Sequence, residues 1–292
     1  MKVIENWGNL IPPFSINYNA GDDPTDYIHN FTIPYINKYL PSCISATNIQ
    51  EFISGEKVPK LLDIGCGFAQ MALAYKVLIK ASNNLQNNSL TDQNNPWYVG
   101  VDIRKDAIDW LVNAYKSDNR FYFHHHSADS SVSYSGKRGN SNYISPEESS
   151  AESDGSECIY KLPLPFKSDI QWSSSLFTHL TPKATVNALK FIKDSLTPQG
   201  IAVNTWLIAD TESSLAMITR QADRSLPIDK GAYLTYSKSN PLVCTSYKLQ
   251  FILQAYKLAG LKIQNIRRGS WRGSGHKNDF DHYQDIIIAT LN

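Results

Sequence analysis

Apolar positions along the chain fall into short buried runs that alternate with helical stripes. Leu61, Leu62 and Ile64 form the first strong run, apolar on both faces as a strand inside a parallel sheet is. Gly65 and Gly67 follow at once, and Met71 opens an apolar helix that the pattern carries to Ile79. A second strand is predicted over 97–101, closed by Asp102. The next segment, KDAIDWLVNAYK, places Ile108, Leu111, Val112 and Tyr115 on one helical stripe. Residues 121–125 read as a third strand, and a fourth begins at Asp169. Thr181 and Pro182 supply a cap and first-turn pair for a helix carrying Leu189, Ile192 and Leu196, which Pro198 and Gly200 should stop. A fifth strand over 201–207 comes next, then a helix over 247–259 ended by Gly260, with Phe251, Ile252, Ala255 and Leu258 on its buried face. Two last strands, 261–267 and 284–291, are joined by GSWRGSGHKNDFDHY. This alternation points to one doubly wound α/β domain from residue 59 onward, with no internal repeat.

Polar stretches interrupt the pattern. Residues 81–96 are Asn-rich and read as a surface insertion, and 130–157, dominated by Ser, Asn, Gly, Glu and Asp, read as a second. Residues 208–245 make a connection longer than a bare sheet needs, a candidate pocket wall. Residues 1–58 hold a helical segment over 27–40, which either closes over the site as a lid or packs on the sheet edge. Lysine plus arginine is 28 against 27 for aspartate plus glutamate, so the chain lacks the basic field of a nucleic-acid binder. The four cysteines have no metal spacing and read as reduced thiols of a cytoplasmic protein. No apolar signal core or membrane-length run is present. His124, His125 and His126 do not suggest a metal, because neighbours on a strand point to opposite faces.

The strand–glycine turn–helix at 61–72 carries the chemistry. Glycines there let a ligand reach the main chain, and the helix start offers N–H groups and a positive dipole end. A dinucleotide fingerprint needs a third glycine where this chain has Gln70, which weakens a nicotinamide oxidoreductase. The string Asp-Ile-Gly-Cys-Gly-Phe-Ala instead resembles the first motif of class I S-adenosylmethionine-dependent methyltransferases, which usually have glycine at the position of Ala69. The resemblance covers about residues 59–291 and implies a Rossmann-like, mostly parallel seven-stranded sheet with an antiparallel last strand and helices on both faces. It implies S-adenosyl-L-methionine as cofactor, with Asp63, Gly65, Cys66 and Gly67 in the turn that holds it. Asp102 would accept the ribose hydroxyls beside Ile103, and Asp129 would accept from the adenine amino group. The alternative for Asp102 is a helix cap, for which it sits one residue early.

A second stretch, LPLPFKSDIQWSSSLFTHLTP over 162–182, resembles the fourth motif of small-molecule methyltransferases and places Ser174 beside the cofactor. An oxygen acceptor is helped by a base, and histidine suits that role near neutral pH. His179 is the candidate, as in some sugar and natural-product O-methyltransferases that the chain resembles here; alternatively it caps the next helix or packs under the lid. Trp206, Trp271 and Arg272 are candidate acceptor contacts, and the last two could equally be plain surface. The expected partner is a small hydroxylated acceptor, a sugar or secondary metabolite. An amine or carboxylate acceptor, or an inactive binding module of the same fold, remain alternatives.

Overall fold

The computed structural model describes residues 10, 58–86, 97–126, 162, 164–218, 222–273 and 282–292. Residues 1–9 and 11–57, which include the expected helical lid, residues 87–96, the insert at 130–157 and Asp129 lie outside the described residues. The described residues fall into two compact units, those within Met1–His126 and Pro163–Trp172 and those within Ser127–Leu162 and Ser173–Asn292.

The first unit runs β1 (Leu61–Ile64), α1 (Gln70–Gln86), β2 (Tyr98–Asp102), α2 (Lys105–Ala114), β3 (Phe121–His125) and then β4 (Ser168–Ser173), whose last residue opens the second unit. β1 and β2 are buried at every position, as strands covered on both faces must be. β1 pairs in parallel with β2 on one side and β4 on the other, and β2 pairs in parallel with β3. Tyr98, Tyr115, Phe121 and Phe123 pack with ring centroids 5.0–5.7 Å apart. Two expectations change. α1 continues through Gln86, so the stretch expected as an insertion from 81 begins as helix. Val112 is 51% exposed, because the buried stripe of α2 is centred on Ala107, Ile108 and Leu111 and leaves Val112 at its edge.

The second unit contains α3 (Pro182–Ser195), β5 (Leu196–Trp206), β6 (Ile208–Ala209), α4 (Thr211–Ile218), β7 (Ile228–Asp229), β8 (Tyr233–Thr235), β9 (Thr245–Lys248), α5 (Leu249–Ala259), β10 (Leu261–Arg267) and β11 (Asp285–Leu291). Thr181 caps α3 as expected, its hydroxyl accepting from the Ala184 N–H at 3.2 Å. The helix ends earlier than expected, at Ser195, and the chain passes straight into β5. Pro198 and Gly200 therefore lie within an extended segment, where proline's missing N–H and fixed φ are tolerated away from a central ladder. In α5, Tyr256 takes the buried position expected of Leu258, which is 61% exposed. The 208–245 stretch is more than a connection. It holds most of a four-stranded sheet, ordered β6-β9-β8-β7, with Leu207, Leu226, Cys244 and Trp271 packed together.

The large sheet has seven strands in the order β10-β11-β5-β4-β1-β2-β3. β11 is antiparallel to both β10 and β5, so the expected mostly parallel sheet with an antiparallel last strand is what forms. Strand order advances from β1 to β3 and then restarts on the other side of β1 with β4. Such a switch point leaves a crevice outside the carboxyl ends of the flanking strands, where ligands of α/β sheets bind. Among the described residues no helix is long and apolar enough to cross a membrane.

Candidate functional site

At the carboxyl end of β1 the chain turns through three left-handed residues, Gly65 (φ 74°), Gly67 (φ 52°) and Ala69 (φ 52°). A side chain at Ala69 in that conformation costs on the order of 1–2 kcal/mol. This is the position where the methyltransferase motif usually has glycine, and the backbone keeps the glycine path regardless. A Cβ on Gly67 would meet nothing within 4 Å, so the space above that residue is open.

Four N–H groups of the turn are taken up inside the protein. Gly65 and Cys66 both donate to the Val101 carbonyl, at 2.8 and 3.1 Å, and Ala69 donates to the Cys66 carbonyl at 2.7 Å. Gly67 donates to Asp102 Oδ2 at 2.7 Å. These N–H groups close the turn on its own strands instead of facing a ligand. What this part of the turn presents is bare backbone, suited to van der Waals approach by a ligand.

Asp102 ends β2 beside this turn. Its second oxygen accepts from the Arg104 N–H at 2.8 Å, so the carboxylate ties the β2 end to the glycine turn. It is no cap for α2, whose cap position is Arg104. Burial raises its pKa, opposed by the two backbone N–H groups and the Arg104 charge. Each oxygen keeps a second lone-pair direction, so two further hydroxyl donors can be accepted. Ile103 is half-buried next to it, and its carbonyl accepts from His125 Nε2 at 3.1 Å. Phe68, overlooked in the sequence, lies under the Arg104 guanidinium at 4.7 Å and edge-on to Trp110 at 6.2 Å.

Asp63 and Cys66 sit below the turn. Burial pushes the Asp63 carboxyl up to about 7, with the Tyr98 hydroxyl bond opposing and the Asp102 charge adding. Burial also pushes the Cys66 thiol well up, so it stays a thiol. Cys66 packs against Gly100, where an added Cβ would come within 3.0 Å of its sulfur and 2.9 Å of the Phe123 ring. The Asp63 environment gives a pH signature with a definite sign. A carboxyl with a folded pKa of about 7 and an ordinary unfolded value of 3.8 holds more proton when folded, so stability falls as pH rises from about 4 to 7. Asp63→Asn keeps an oxygen for the Tyr98 hydroxyl and removes the titration. Its urea midpoint should therefore gain on wild type between pH 5 and pH 8; a parallel pair of pH profiles would count against a protonated Asp63.

The second unit holds the remaining candidates. Ser174 is half-buried just after β4, and Ser175 takes a left-handed φ of 58°. The Ser175 N–H donates to Thr205 Oγ1 at 2.7 Å, and Gln284 Nε2 donates to its hydroxyl at 2.9 Å. A 3-10 turn, Phe177–His179, follows. Phe177 stacks on Trp206 at 4.1 Å with 12° between the rings. His179 Nδ1 lies 2.9 Å from the Leu242 carbonyl, and because a carbonyl only accepts, Nδ1 carries the proton and Nε2 is the acceptor nitrogen. Burial lowers the His179 pKa, against the Leu242 bond and with the Arg224 charge adding, so the ring is neutral near pH 7.

Three predicted acceptor contacts are placed elsewhere. Trp206 is fully buried, and its Nε1 donates to Tyr256 at 3.3 Å; it supports the turn that carries His179. Trp271 and Arg272 are also fully buried. Both donate to Asp285, Trp271 Nε1 to Oδ2 at 2.8 Å and Arg272 Nη1 to Oδ1 at 2.8 Å. Large aromatics and an arginine in a glycine-rich loop here serve the interior. Among the described residues no group of His, Cys, Asp and Glu could hold a metal.

No family model matches the chain. Several solved structures resemble it across most of its length. An S-adenosylmethionine-dependent methyltransferase from Clostridium acetobutylicum is 10% identical, with 90% of this chain and 98% of that one covered and a TM-score of 0.43. DesVI from Streptomyces venezuelae is 13% identical, covering 92% and 99%, with a TM-score of 0.45. NcsB1, an O-methyltransferase of neocarzinostatin biosynthesis seen with S-adenosyl-L-homocysteine and 1,4-dihydroxy-2-naphthoic acid, is 10% identical, covering 92% of this chain and 56% of that one, with a TM-score of 0.46. At such identities and scores the assignment of fold rests on the chain's own strand order and register.

Proposed function

We propose that this chain is an S-adenosylmethionine-dependent methyltransferase acting on a hydroxyl of a small molecule, a sugar or secondary metabolite. The observation that carries it is the Asp102 carboxylate at the end of β2, next to a glycine turn in which the Gly65, Cys66, Gly67 and Ala69 N–H groups have acceptors inside the protein. A nucleotide ligand with phosphates needs those N–H groups, whereas an adenosyl group without phosphate needs an acid for its ribose and bare backbone for its tail. The residues fit that cofactor. Asp102 would hold the ribose beside Ile103, Asp129 the adenine amino group, and Asp63, Gly65, Cys66 and Gly67 would form the turn against which the tail rests, with Ser174 as a further contact.

The cofactor supplies a methyl group on a sulfonium, already a good leaving group. The protein's part is then to position the acceptor, exclude water and take up its proton. His179 does the last as general base. Its tautomer puts the accepting lone pair on Nε2, its lowered pKa keeps it neutral, and the Leu242 carbonyl stabilises the imidazolium that forms when it takes the proton.

Calorimetry with S-adenosylhomocysteine tests the cofactor assignment directly. Micromolar binding is expected, with NAD and NADP failing to bind; the reverse preference would overturn the assignment. His179→Gln should lower turnover about a hundredfold, at the modest end for removal of a general base, and leave cofactor affinity unchanged. Turnover within a few-fold of wild type would show that His179 does not take the proton and would favour an amine or carboxylate acceptor.

A further inference from the structure

Among the described residues the exposed Arg224 pairs with no carboxylate. Among the described residues its partners are the Tyr283 hydroxyl, to which Nε donates at 3.1 Å, and the Cys244 sulfur, 3.7 Å from Nη1. Burial raises the Cys244 thiol and the nearby Arg224 cation only partly offsets it, so Cys244 is uncharged. Other arginines of the same unit are paired, Arg268 with Asp210 and Arg272 with Asp285. A guanidinium presents five N–H donors, of which two are used by Arg224 in contacts with the described residues. Tyr283 adds a further donor, because its oxygen accepts from Arg224 while its own hydrogen stays available, and its side chain is 37% exposed.

The local chain path ties this cation to the candidate base. Leu242, whose carbonyl holds His179, lies two residues before Cys244, which touches Arg224. Thr245 then binds back to the Phe177 carbonyl at 3.4 Å, at the start of the turn that carries His179. One short segment, 242–245, therefore meets the base at one end and the arginine two residues further on. The Arg224 charge is also felt at His179, where it adds to the lowering of the imidazole pKa.

From the exposed Arg224 guanidinium, braced by Tyr283 and Cys244 beside the segment that holds His179, we infer that the acceptor carries an anionic group, a carboxylate, sulfate or phosphate, which Arg224 and the Tyr283 hydroxyl bind. The inference names the substrate class and rests on the methyltransferase function proposed above. Geometry and charge both favour an oxyanion, because a guanidinium fork and a phenolic hydroxyl together offer a cation and only donors.

The test separates anion binding from catalysis. The pH titration of the His179 imidazole is followed by NMR in sodium sulfate and in sodium chloride at equal ionic strength, with His179→Gln used to assign the resonance. Sulfate seated on Arg224 should move the His179 pKa upward, through relief of a nearby positive charge. Arg224→Gln should show the raised value in chloride and no further response to sulfate. Equal titrations of the wild-type protein in the two salts, or a sulfate response that survives Arg224→Gln, would overturn the inference. In a second arm, 4-hydroxybenzoate and 4-hydroxybenzamide are compared for binding by calorimetry. Wild type should prefer the acid at least tenfold and Arg224→Gln should lose that preference; equal binding of the two, or binding of neither, tells against an anionic acceptor. Because neither arm needs methyl transfer, an anion site that is present in a protein unable to bind S-adenosylhomocysteine would sink the proposed function and leave the Arg224 site standing.

Discussion

An Asp102→Ala protein should bind S-adenosylhomocysteine at least a hundredfold more weakly than wild type, roughly the loss of two hydrogen bonds to a charged group at about 1.5–3 kcal/mol each. The carboxylate is arranged for this. One oxygen accepts from Gly67 and the other from Arg104, so the group is held in place before any ligand arrives, and each oxygen still has room for one more donor. A ribose supplies two such donors. The same variant also strands the Gly67 and Arg104 N–H groups at the mouth of the turn, where water can reach them, so the fold should survive with a lower denaturation midpoint. The pH dependence has a sign as well. Burial raises the Asp102 pKa, and affinity for the cofactor should fall as the pH drops toward protonation of that carboxyl, with Asp102→Ala showing no such fall. Isothermal titration of both proteins across pH decides the matter. An alanine variant that binds as tightly as wild type would remove the ground for placing an adenosyl ribose at this acid.

Much of this site was legible because it depends on short-range chemistry. Gly65, Gly67 and Asp102 mark a turn and a strand end, and such features are written within a few residues of where they act. The Thr181 cap and the alternation of strands and helices belong to the same class, since capping needs one side chain and each element carries its own period. What escaped depends on contacts between distant positions. The satisfaction of the turn's N–H groups needs the Val101 carbonyl, which sequence spacing does not reveal. Trp206 and Trp271 read as pocket walls because large aromatics near strand ends often are, yet Tyr256 and Asp285 supply partners that let both be buried. The passage from α3 into β5 without a loop defeated the turn signals of Pro198 and Gly200, which are tolerated in an extended chain too. Arg224 carried no sequence mark at all; its contacts with Tyr283, 59 residues away, and Cys244, 20 residues away, are what single it out among exposed arginines.

Asp285 is the least legible residue and the one whose loss should hurt the fold most. It is fully buried at the start of β11 and accepts from four donors: the Ile208 N–H at 2.9 Å, the Gly269 N–H at 2.9 Å, Trp271 Nε1 at 2.8 Å and Arg272 Nη1 at 2.8 Å. The first of these is 77 residues away in sequence, so one carboxylate fastens β6, the Gly269–Arg272 loop and β11 together. Arg272 is equally buried, with Nη2 directed to the Gly269 carbonyl at 3.2 Å and Nε unpartnered, so Asp285 is its charge partner. Asp285→Ala leaves that guanidinium in the interior without an anion, a change that costs about 3–5 kcal/mol. Stranding the other three donors adds to it. Total stabilities of folded domains are about 5–15 kcal/mol, so the variant should be largely unfolded or bound up in aggregates at 37 °C and show a urea midpoint lower by on the order of 1–3 M. Asp285→Leu combined with Arg272→Met removes both charges and should recover part of the loss, because replacing a buried pair by apolar groups is often close to neutral. Recovery should stay incomplete, since Ile208, Gly269 and Trp271 still lack an acceptor. An Asp285→Ala midpoint equal to wild type, or a double variant no better than the single one, would show that the buried pair does not fasten this part of the fold.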